Sequence, residues 1–149
     1  MFIAGFEANQ RSTFLATFRA LIKKYPDIEA RDILNHCIDR SPGEEGKWFA
    51  SARHAGFLDV AQHLATTYRV EPKTLVNAAR DHVTKNPDFS IHAGLAALRN
   101  LDDGYGYDEP GPADVLSAYA TVMRAAEVAG NTVEVKTALR AHFGQQAPP

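Results

Sequence analysis

"EEGKWFASARHAGFLDVAQHLATTYR", Glu44 to Arg69, is the stretch whose reading decides the fold class. Its two leading acids stand in what would be a first helical turn, where negative charge favours the helix dipole. Gly56 then sits where a helix can adopt a left-handed residue and stop. Beyond it, Leu58, Ala61, Leu64, Ala65 and Tyr68 recur in the rhythm of one helical stripe. The stretch therefore predicts two helices joined by a short turn.

The same reading extends in both directions. Upstream, Phe14, Leu15, Phe18, Leu21, Ile22 and Tyr25 follow helical spacing until Pro26 breaks the segment. Ile33, Leu34, Cys37 and Ile38 then share one face before "SPGEEG" interrupts them. Downstream, Pro72 suits the first turn of "PKTLVNAARDHVTK", which ends near Asn86 and Pro87. Asp88 is the expected N-cap of the next helix, whose apolar face is Phe89, Ile91, Leu95 and Leu98. "PADVLSAYATVMRAAEVAG" predicts the longest helix, and Asn131 with Glu134 form a capping box for the last. "VEV" at 133–135 is too short to argue for a strand. The expectation is an all-α protein of about eight helices in stacked antiparallel hairpins, solenoid-like or bundled. Residues 1–143 would form a single domain, with 144–149 as a flexible tail.

Composition agrees with this class and removes several others. With 149 residues, 45% hydrophobic and 23% charged, the chain is of ordinary globular make-up. No apolar run is long enough to cross a bilayer, and the N-terminal stretch lacks the basic leader of a secretory signal, so a cytoplasmic location is expected. A lone cysteine, Cys37, excludes an internal disulfide and reads as a small buried apolar residue. The net charge of −2 is unevenly spread: residues 47–85 hold six Lys or Arg against three Asp or Glu, while the flanks are acidic.

Two resemblances attach to these helices. "WFASARHAGFLDVAQHLA" resembles a tetratricopeptide-type unit, with Trp48 in the first helix, Gly56 at the turn, and Ala61 and Ala65 where the second helix packs closely. It covers one helical pair, residues 44–72, and implies stacked helical hairpins. "LATTYRVEPKTLVNAARDH", Leu64 to His82, resembles the DNA-binding helix-turn-helix, with Val70 in the turn and Ala78 facing inward. That resemblance implies that Lys73, Asn77 and Arg80 project from the second helix toward nucleic acid. Arg69 occupies the place of the usual turn glycine, and Glu71 puts negative charge where a phosphate would approach.

Catalytic and metal chemistry find no pattern. There is no His-Glu-x-x-His, no paired Cys-x-x-Cys, no Gly-x-Ser-x-Gly, no P-loop and no dinucleotide fingerprint. Asp59 and His63 lie four residues apart on one helical face, the nearest approach to an acid–base pair, but an enzyme would need further polar groups beside them. No cofactor and no metal are expected.

What remains is binding. Trp48 reads as a staple within the helical core, and as an aromatic anchor for a partner protein if it is exposed. "LDDGYGYDEPGP", residues 101–112, has acids that oppose phosphate and spacing unlike a calcium loop. It is read as a joint between hairpins, and as an acidic and aromatic epitope through Tyr105, Tyr107, Asp108 and Glu109 if these face a partner. The function expected is a non-catalytic protein–protein interaction module, an adaptor, subunit or inhibitor, using a helical face or this loop. The alternative is nucleic-acid binding through Lys73, Asn77 and Arg80.

Overall fold

The computed structural model describes residues 14–102 and 112–143. The described residues form eight α-helices and one 3₁₀ turn, with no strand among them. The helices are α1 Phe14–Lys24, α2 Ala30–Asp39, α3 Phe49–His54, α4 Leu58–Thr67, α5 Pro72–Asp81, α6 Pro87–Asp102, α7 Pro112–Ala129 and α8 Thr132–Phe143. The all-α expectation holds. No helix among the described residues is long and apolar enough to cross a membrane. The helices gather into two compact units, one ending at Tyr68 and the other starting at Arg69. The tail 144–149 lies outside the described residues.

The first unit is built around Trp48. Its indole is fully buried, and Nε1–H donates to Ser41 Oγ at 2.9 Å. Ser41 Oγ–H in turn donates to the Cys37 carbonyl at 2.8 Å, at the end of α2. The ring of Phe14 on α1 tilts against the indole, with centroids 4.7 Å apart. One side chain thus ties the 3₁₀ turn Glu45–Trp48 to both preceding helices, with its polar atom satisfied as burial requires. The helix expected from Glu44 divides here: a 3₁₀ turn runs to Trp48 and α3 starts only at Phe49. Gly56 ends α3 as the sequence predicts. Its φ is +85°, and the Phe57 N–H returns to the Ala52 carbonyl at 2.9 Å, the six-to-one bond of a Schellman stop.

The second unit is packed with small residues. Ala78 and Ala79 of α5, Ala93 and Ala97 of α6, and Ala118 and Ala125 of α7 are all buried. Gly94 of α6 makes the closest approach, since a Cβ built there would overlap Val122 Cγ2 of α7. Two buried polar side chains act as ties. Ser90 Oγ–H donates to the Ala79 carbonyl at 2.6 Å, and Asn100 Nδ2–H donates to the Val70 carbonyl at 2.8 Å. Both satisfy main-chain carbonyls near the ends of α5.

Two expected caps differ. The first turn of α6 starts at Pro87, and the Ser90 N–H bonds to the Asn86 carbonyl at 3.0 Å, so Asn86 stands at the cap position and Asp88 lies in the first turn. Proline favours the first helical position because it has no N–H to leave unpaired there. Asn131 does precede α8, with the Val135 N–H on its carbonyl at 3.1 Å, but its Oδ1 is buried without a hydrogen-bond partner, so the capping box is not closed.

Two predictions follow from this packing. Gly94→Ala adds a good helix former, worth about 1 kcal/mol in an open helix, yet overpacking costs about 1–3 kcal/mol. The expected outcome is a lower urea midpoint, and an unchanged or higher midpoint would contradict the contact with Val122. Burial pushes the Cys37 thiol up to about 11. At pH 8 the folded chain should therefore react with a thiol reagent at least about a hundredfold more slowly than the chain in urea, from thiolate fraction alone.

Candidate functional site

Helix α7 has a buried face and an exposed apolar one. Its buried side, including Ala118, Thr121, Val122 and Ala125, packs within the second unit. Turning away from that side, Leu116, Tyr119, Ala120 and Met123 follow the i, i+3, i+4, i+7 spacing of a single stripe, with Val115 one turn before Tyr119. Leu116 is 63% exposed and Val115 42%, while Tyr119 and Met123 are half-buried. A stripe of this kind is ordinarily what a helix turns toward a core; here Val115, Leu116 and Ala120 are turned toward solvent.

Lys73, Asn77 and Arg80 are brought together. They are exposed at i, i+4 and i+7 on α5 and line one cleft of about 260 Å³ with Val76, Leu101, Asp114 and Ser117. The Arg80 guanidinium donates to Asn77 Oδ1 at 2.7 Å, so the carboxamide oxygen is already engaged. Asp114 places a carboxylate in the same cleft. The helix-turn-helix comparison fares differently. The segment 64–82 is divided between the two units at Tyr68 and Arg69. Its turn runs through extended backbone at Tyr68, and no non-glycine residue among the described residues has positive φ, so Arg69 does not take the conformation of a turn glycine.

In the first unit, Asp59 and His63 of α4 do meet further polar groups. They line a groove of about 490 Å³ with Val60, Leu64 and Tyr68, opposite Asn35, Ile38 and Asp39 of α2. At one end Arg31 of α2 reaches both oxygens of Asp59, at 2.9 and 3.3 Å, with its guanidinium over the Phe57 ring at 4.5 Å. The Arg31 hydrogen bond holds the Asp59 carboxyl below the usual carboxylate range. The stabilisation this represents is present at neutral pH and fades as pH falls through that lowered range. It is small, because the Asp59 side chain is 70% exposed and the pair is screened by water. His63 Nδ1 lies 3.4 Å from Thr67 Oγ1. Asp59 is thus committed to Arg31 and is not poised to accept a proton from the imidazole. No three His, Cys, Asp or Glu side chains among the described residues gather as a metal would require.

Of the two readings of Trp48, its burial agrees with the core staple: the indole is fully buried and its Nε1–H donates to Ser41 Oγ. Tyr105, Tyr107, Asp108 and Glu109 lie outside the described residues. The exposed stripe of α7 was missed in the sequence, although its signal was there. "VLSAYATVM" holds more large apolar residues than one buried face can take, and only the packing shows which of them are left over. The chain matches no known family model, no curated protein and no solved structure.

Proposed function

We propose that this protein is a non-catalytic interaction module that docks a partner protein on the outer face of α7. The observation that carries the reading is the exposure of Leu116 and Val115 at the head of an apolar helical stripe. A Leu side chain left in water forgoes about 1.5–3 kcal/mol that burial against a partner recovers. Helix-in-groove recognition uses this i, i+3, i+4, i+7 set of anchors. Helix α7 is also well placed as a rigid platform, being the longest helix of the chain's described residues and fastened to α6 through the Gly94 contact.

The test is Leu116→Asp. Because Leu116 is mostly solvent-exposed, its thermal unfolding should match that of the wild type within about 0.5 kcal/mol. A protein that co-purifies with the wild-type chain should bind the variant roughly thirty-fold more weakly, the loss typical of one interface hot spot. Retention of that partner at full affinity removes α7 from the interface.

A second reading rests on the convergence of Lys73, Asn77 and Arg80 at one cleft, which favours a phosphate-bearing partner such as nucleic acid. It predicts duplex binding at low salt that falls steeply as salt rises and is weakened by Arg80→Ala. No mobility shift at low salt ends this reading. Asp114 in the cleft and the Arg80–Asn77 hydrogen bond are the reasons it ranks second.

A further inference from the structure

The groove of the first unit is not used by the α7 reading, and its chemistry is of a different kind. Its two walls are α2 and α4, and the paired Arg31 and Asp59 stand in the first turn of each. Along the floor, Leu64 is buried while Ile38 and Val60 are half-buried, so apolar surface remains open between the walls. On the α2 wall Asn35 and Asp39 are exposed, and neither side chain has a hydrogen bond or ion pair among the described residues. On the α4 wall Asp59 has its charge balanced by Arg31, and His63 stands one turn further along. The half-buried Tyr68 lies at the other end.

The uncompensated charge facing the groove is therefore the carboxylate of Asp39, above an aliphatic floor. The complement of such a surface joins an aliphatic face to a cation. A free metal ion does not meet this description, since it would leave the open surface of Ile38 and Val60 unused. An acidic or phosphorylated segment is repelled by Asp39.

We propose that the groove between α2 and α4 is a docking site for a basic amphipathic peptide segment, whose aliphatic side chains rest on the half-buried Ile38 and Val60 and whose Lys or Arg pairs with Asp39. Asn35 then supplies a carboxamide to the main chain or to a polar side chain of the peptide. The Arg31–Asp59 pair bridges the two walls at one end of the groove. This site uses no residue of α7, and it stands whether or not Leu116 contacts a partner.

The test uses the full chain and a labelled helical peptide of leucine and lysine, with leucines at i, i+3, i+4 and i+7. A second peptide with glutamate in place of lysine is the control. In fluorescence anisotropy the lysine peptide should bind saturably and the glutamate peptide should not. Asp39→Lys should weaken binding by at least about tenfold, because an attractive contact becomes a repulsive one. Asp27→Lys makes the same change of charge on another exposed acid of the first unit, one that does not line the groove, and should weaken binding less than about twofold. Amide resonances of residues 35–39 and 60–68 should shift on titration. Equal losses for the two variants would show attraction to net charge alone and overturn the proposal. So would failure of the lysine peptide to bind, or resonance shifts confined to other surfaces.

Discussion

At Gly94 the backbone of α6 and the Val122 side chain of α7 meet with no room for a Cβ. That contact sets the distance and rotation of α7 in the second unit, because a helix that approaches so closely along one line cannot turn that line elsewhere. With Val122, Ala118 and Ala125 committed to the buried side, the angular positions of Leu116, Ala120 and Met123 are decided too, and they fall away from α6. The exposed stripe of α7 is in this sense a consequence of a glycine twenty-one positions or more away in the chain. The buried alanines around it serve the same end, since small side chains let helix axes approach and interior packing tolerates few voids.

The first unit solves the corresponding problem with one large side chain. Trp48 reaches α1 through Phe14 and α2 through Ser41, and Ser41 passes the hydrogen bond on to the Cys37 carbonyl. Every polar atom in that relay has a partner, so burying it costs little, and the helices on either side of the "SPGEEG" break are held by a contact between residues seven apart. The 3₁₀ turn before α3 belongs to the same arrangement, for it presents the indole to α1 and α2 at the point where a continuous α-helix was expected. At one end of the groove between α2 and α4, Arg31 and Asp59 form an ion pair, with the Arg31 guanidinium over the Phe57 ring.

Much of this architecture was legible in the order of residues. Pro26, Gly56 and Pro72 mark boundaries because proline and left-handed glycine act on their own backbone, within a few residues. Gly130 stops α7 as Gly56 stops α3, with φ of +74° and the Asn131 N–H returning to the Ala126 carbonyl at 3.1 Å. The α6 cap was misplaced by two residues, because Asp88 and Asn86 are both acceptable cap types and the choice between them follows from Pro87. The sites were less legible. Trp48 reads identically as anchor or core, and only its burial separates the two. Lys73, Asn77 and Arg80 share a face by spacing alone, whereas Asp114, which changes the charge of their cleft, comes from a helix more than thirty residues further on.

By itself, then, the order of residues determined that the chain is helical, where most helices begin and end, and which faces could be apolar. These are properties of short windows, governed by backbone geometry and by the 3.6-residue period. Only the tertiary structure decided which apolar residues are spent on the core and which are left facing water. It alone showed Trp48 inside, Leu116 outside, and Asp59 held by an arginine twenty-eight residues before it. The physical reason is that burial and ion pairing depend on distances between residues remote in the chain, and helix packing, unlike helix formation, has no short-range signature.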